Sequence, residues 1–96
     1  MTDAQKEILQ EAIKHYGAEL QVNVAIEEMS ELTKELCKSL RYKANRNNIT
    51  EEIADVLIMI EQLKIIFQLS PAAIENVKEY KLLRLEKRIF KETRLK

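Results

Sequence analysis

The residues of this chain that could do chemistry are acids at helical spacing. The stretch Thr50-Glu51-Glu52-Ile53-Ala54-Asp55-Val56-Leu57-Ile58-Met59-Ile60 reads as a helix apolar almost all round. At about 100° per residue, Glu52 shares a face with Val56, Met59, Leu63 and Ile66. A carboxylate in a core-facing stripe is costly unless it is paired or binds a metal. Asp55 follows one turn later, and Glu27-Glu28-Met29-Ser30-Glu31 supplies a second pair upstream at the same i, i+3 spacing. Two helices that each turn an acidic pair inward describe a site for a divalent cation.

The electrostatics of Glu28, Glu31, Glu52 and Asp55 in one place are demanding. Two carboxylates about 4 Å apart repel by about 4 kcal/mol at an effective dielectric of 20. Several such pairs rival the roughly 5–15 kcal/mol that holds a small domain together. Either protons or cations must neutralise them. An all-oxygen donor set selects hard ions, Mg²⁺ first and Mn²⁺ second. Mg²⁺ keeps water ligands and takes phosphate oxygens as further ones, so the substrate expected is a polyphosphate. The reaction expected is attack of water on phosphorus. Glu27, left off the metal, is the candidate general base.

The plainer account of these acids is a solvated helix face balanced by Lys34 and Lys38. It suits one acidic helix and fails to explain the matching pair on a second. Glu51 complements the dipole of its own helix. Glu52 is not the acid of a capping box, because the fourth residue of that pattern is Ile53. Local helix chemistry therefore accounts for neither Asp55 nor the inward direction of Glu52.

Four helices are predicted to position these groups. The first spans 3–16, capped by Thr2 or Asp3 and closed by Gly17, the only glycine. His15, in its last turn, is expected at the surface near the negative end of the dipole. The second spans 18–42, with a core stripe of Val22, Ala25, Ile26, Met29, Leu32, Leu36 and Leu40. A polar, basic connection follows over 43–48, whose cations are candidates for reaching phosphate. The third helix is expected to start at Thr50 as cap and to run to 69. Ser70-Pro71 is a strong start for the fourth, which spans 71–94 and carries Lys81, Arg84 and Arg88 on recurring turns.

Ninety-six residues, with one glycine and one proline, fit a single all-α domain over 1–96. So short a chain gains from oligomerisation. Lys plus Arg equals Asp plus Glu at 16 each, which gives no general attraction to nucleic acid or to an acidic membrane. The single cysteine, Cys37, admits no internal disulfide and is expected as a small buried hydrophobe. The first residues lack an apolar signal region, and no apolar run would span a bilayer, so a cytoplasmic protein is expected.

At the acidic residues the sequence resembles the MazG-like, all-α nucleoside triphosphate pyrophosphohydrolases. Their pattern is a Glu pair followed by Glu, a spacer and Glu-x-x-Asp. Here it reads Glu27-Glu28-Met29-Ser30-Glu31, twenty residues, then Glu52-Ile53-Ala54-Asp55. The similarity runs from His15-Tyr16-Gly17 to Ile66-Phe67 and is greatest to small bacterial and phage members. The resemblance implies a four-helix bundle assembled as a homodimer or as a homotetramer, a dimer of dimers. It implies cleavage between the α- and β-phosphates of a nucleoside triphosphate, giving a monophosphate and pyrophosphate in nucleotide-pool housecleaning. It implies Glu28, Glu31, Glu52 and Asp55 as metal ligands, with Glu27 an extra acid nearby. Lys81, Arg84 and Arg88 become candidate phosphate contacts. Tyr16 stands where many relatives have Trp beside the nucleotide, and Gln21 is a candidate for a hydrogen bond to the base. Alternatives on the same scaffold are hydrolysis of dUTP or phosphoribosyl-ATP. An alternative of another class is a non-catalytic, dimerising helical module with a structural ion.

Overall fold

The structure, a computed structural model, describes residues 1–41 and 44–94. The chain is all-α: α1 (Asp3–Tyr16), α2 (Ala18–Arg41), α3 (Arg46–Ile66) and α4 (Pro71–Arg94), with no strand among the described residues. Tyr42 and Lys43, expected at the end of the second helix and in the basic connection, lie outside the described residues.

The helix ends follow from local chemistry. The Thr2 hydroxyl accepts from Gln5 N–H at 3.1 Å while the Gln5 side chain accepts from Thr2 N–H at 2.9 Å, a reciprocal box that starts α1. Gly17 ends α1, its N–H donating to the Ile13 carbonyl at 2.8 Å. Its φ of 92° is open to glycine and strained for other residues. Ser70 caps α4 through Ala73 N–H at 3.2 Å.

α3 begins four residues before the expected Thr50. Asn45 is its N-cap residue, and Ile49 N–H donates to the Asn45 carbonyl at 3.0 Å. Thr50 lies inside the helix, its hydroxyl donating to the Arg46 carbonyl at 2.9 Å. Asn45 forms no side-chain cap of its own helix. Its amide instead donates to the Glu35 carbonyl of α2 at 2.8 Å. A tertiary bond thus starts α3 where the polar run 45–48, on its own, reads as loop.

α2 and α3 form an antiparallel hairpin, with Gln21 opposite Gln62, Glu28 opposite Glu52 and Asp55, and Glu35 opposite Asn45. α1 packs on both helices. The buried apolar residues are Leu9 of α1, Ala25 of α2 and Met59 of α3. Between them Gln21 Nε2 donates to Gln62 Oε1 at 2.7 Å, which allows two carboxamides to be buried.

The rotation of α2 differs from expectation. Its buried and half-buried positions are Gln21, Val22, Val24, Ala25, Glu28, Leu32 and Glu35, so Val22, Ala25 and Leu32 of the expected stripe do face inward. Ile26, Met29, Leu36 and Leu40 of the expected stripe are exposed, Leu40 by 88%. Cys37 is exposed as well, not buried. The reason is pairing: Gln21 and Glu35 find polar partners across the hairpin, so the face that holds them can turn inward.

α4 leaves this assembly. It makes next to no contact with the other three helices, and none of its described residues is buried. Within one chain the packed unit is therefore α1–α3, and the fourth helix stands free. Among the described residues no helix is long and apolar enough to cross a membrane.

Candidate metal centre

The acidic site is built across the middle of the hairpin. Glu28 projects from the inward face of α2, and Glu52 and Asp55 from consecutive turns of α3. One carboxylate oxygen from each lies within 4.8 Å of the others. Glu28 and Glu52 are half-buried and Asp55 is exposed, so the cluster opens to solvent on one side. Oε2 of Glu52 is buried without a hydrogen-bond partner.

Both half-buried acids hold their protons more tightly than a free glutamate. Burial raises Glu28 most, followed by the charges of Asp55 and Glu52 and a hydrogen bond with Asp55. Burial also leads for Glu52, with Asp55, Glu31 and Glu35 adding repulsion. Glu31 is exposed and outside the trio, yet its charge acts on both members. Of the four expected ligands, three are brought together and the fourth stands at the rim. Glu27 is exposed, about 100° round α2 from Glu28.

Sequence reasoning missed the role of Glu35. It is buried at 6% exposure, seven residues beyond Glu28 on the same inward face. Its carboxylate meets Lys38 Nζ at 3.1 Å and accepts from Asn45 Nδ2 at 3.3 Å. The Lys38 bond, then Asn45, holds its pKa below the usual carboxylate range despite burial. Glu35 is thus an acid already satisfied, which ties the end of α2 to the start of α3. The Glu28–Glu35 spacing with Lys38 one turn on was the available signal.

The remaining candidates are dispersed. Gln21 is taken up in the core by Gln62. Tyr16 is exposed, edge-on to the exposed His15 with ring centroids 4.7 Å apart. It borders a shallow depression with Gly17, Leu20 and Asn23, and no acid of the trio lines it. Lys81, Arg84 and Arg88 are exposed on α4, which does not pack on the hairpin. The Arg84 guanidinium lies over the Tyr80 ring, 5.9 Å from its centroid. Arg46, from the basic connection, is exposed in the first turn of α3.

The trio fits a hard divalent cation. Its donors are all carboxylate oxygens, and one of the residues has a buried oxygen without a partner. Ligands about 2.1 Å from an octahedral ion stand roughly 3–4 Å apart, a small side-chain adjustment from the spread seen here. Glu28, Glu52 and Asp55 would hold the ion, with Glu31 in reach at the rim. Comparison with protein-family models, with curated proteins and with solved structures finds no match to this chain.

Proposed function

We propose that the chain is a Mg²⁺-dependent nucleoside triphosphate pyrophosphohydrolase of the MazG-like type, with Mn²⁺ able to replace Mg²⁺. The bundle and the dimer or dimer of dimers of that family belong to the same reading. The observation that carries it is the convergence of Glu28, Glu52 and Asp55 from two helices around an unpartnered buried oxygen. The spacing of the acids in sequence supports it independently.

In this reading, Glu28, Glu52 and Asp55 would hold the ion, and the triphosphate would lie at the open edge of the hairpin. A bound Mg²⁺ would offset the phosphate charge and make water a better nucleophile. Glu27, on the solvent side, takes a proton from the attacking water. An oxygen–phosphorus bond forms at the α-phosphate, and the α–β bridging bond breaks to release pyrophosphate. Lys81, Arg84 and Arg88 are cations available to the departing charge when α4 is brought near, and Tyr16 is an aromatic surface for a base.

A panel of nucleoside triphosphates, with dUTP and phosphoribosyl-ATP included, tests the proposal in Mg²⁺, Mn²⁺ or chelator. Metal-dependent pyrophosphate and a monophosphate product are expected. Orthophosphate release would overturn the cleavage position. No turnover by folded protein would overturn the enzyme reading in favour of a dimerising helical module, which the uncovered apolar surface of α2 and α4 also suits.

A further inference from the structure

Polar side chains cross the α2–α3 hairpin at a regular interval. On α2 they are Gln21, Glu28 and Glu35, each seven residues after the last. Facing them, Asn45 stands seven residues before Glu52, and Gln62 seven after Asp55. Seven residues make two turns and return within about 20° of the same side. The result is three polar rungs about 10 Å apart along the hairpin. In sequence, Ala25 and Met59 fall between the first and second rungs, and Leu32 and Ile49 between the second and third.

The outer rungs are closed and the middle one is open. Gln21 and Gln62, 6% and 4% exposed, satisfy each other at 2.7 Å. The Asn45 amide donates to both the carbonyl and the carboxylate of buried Glu35, at 2.8 and 3.3 Å. The middle rung holds acids alone. Among the described residues, Oε2 of Glu52 is the one buried side-chain polar atom without a partner.

Stability by itself does not call for the outer rungs, because apolar side chains of the same shape can replace a buried hydrogen-bonded pair at little cost. Such a pair supplies direction instead. Sliding α2 by a turn, or rotating it, strands donor and acceptor together, whereas apolar layers lose little. The carboxylates of the middle rung repel one another and press the two helices to turn apart. Ala25, the buried apolar residue of α2, is too small to resist that rotation by its shape. We infer that Gln21–Gln62 and Glu35–Asn45 are positioning pairs of the metal centre, fixing the register and rotation of α2 against α3 so that Glu28, Glu52 and Asp55 stay together before an ion arrives. The inference rests on the acidic trio being a metal centre, and not on the reaction proposed for it.

The two ions Mg²⁺ and Ca²⁺ tell positioning from mere support. Mg²⁺ demands near-ideal octahedral geometry, and Ca²⁺ accepts a looser cage. Calorimetric titration of the native chain and of the Gln21→Leu, Gln62→Leu double variant with each ion makes the test. The double variant should melt close to the native chain in chelator. Its Mg²⁺ affinity should fall at least about tenfold, and its Ca²⁺ affinity by less. An equal fall for both ions, or none, would overturn the positioning role and leave the metal centre standing. If that variant does not fold, Asn45→Ala, which leaves Glu35 paired with Lys38, decides by the same two affinities. A native chain that takes up neither ion would overturn the metal centre itself, and this inference with it.

Discussion

Glu52 is the residue on which the acidic site turns, because half its carboxylate is buried without a partner. Glu52→Gln removes one charge from the cluster and one oxygen donor from the ion. Mg²⁺ affinity, read by calorimetry, should fall at least about tenfold. The metal-free protein should at the same time melt higher at neutral pH, because a repulsion is gone. Glu27→Gln should instead leave Mg²⁺ binding intact and reduce turnover by about 10²–10⁴-fold. The raised pKa values of Glu28 and Glu52 set the pH behaviour. Their contribution to stability is fully present below the unfolded value of 4.5 and is lost as pH rises through the folded values. Metal-free protein should lose stability as pH rises above 4.5. Added Mg²⁺ should therefore raise the melting temperature more at pH 7.5 than at pH 5. Glu35 acts in the opposite sense: its lowered pKa removes stability only as pH falls below 4.5. Melting curves in chelator and in Mg²⁺ at the two pH values check both signs. The buried Gln21–Gln62 bond gives a further test. Gln62→Leu alone should cost about 1–3 kcal/mol by stranding Gln21, and the double replacement by Leu should cost less.

The helix ends carry local strain as well as local caps. α3 closes with Leu69 N–H donating to the Lys64 carbonyl at 2.9 Å and Gln68 N–H to the Ile65 carbonyl at 3.2 Å. This is the paired closure that favours glycine at its left-handed residue. Gln68 holds that position at φ 54°. Gln68→Gly should stabilise the protein by about 1 kcal/mol, read as a higher urea midpoint. Three of the four helices were legible from caps and periodicity, because those signals are local: Thr2 with Gln5, Gly17, and Ser70 before Pro71. The start of α3 was not. Arg46-Asn47-Asn48 is a weak helix former alone, and the helix reaches back to it because Asn45 ties to the end of α2.

Three helices pack and the fourth is bare, so stability should be distributed unevenly. In hydrogen exchange, the amides of α2 and α3 around Ala25 and Met59 should be the best protected. Those of α4, which packs on none of the other helices, should exchange fastest. Loss of protection across all four helices at one rate would mean that α4 belongs to the same unit as the core. The core itself is thin, with Leu9, Ala25 and Met59 the buried apolar residues among those described. That is why so much of the architecture depends on polar pairs such as Gln21–Gln62 and Glu35–Asn45.

Helical spacing alone places Glu28 one turn from Glu31 and Glu52 one turn from Asp55, since an α-helix admits only one geometry for i, i+3. The all-α class, the four segments and the inward direction of Glu52 follow from the same local rule. Packing decided which of these acids meet. It joined Glu28 to Glu52 and Asp55, left Glu31 at the rim and drew in Glu35. It also turned Ile26, Met29, Leu36 and Leu40 of α2 out to solvent. Periodicity reports which side of a helix is apolar, but the rotation of one helix against another is set by partners distant in the chain. Gln21 and Gln62, 41 positions apart, are such partners, and no single window of sequence contains both.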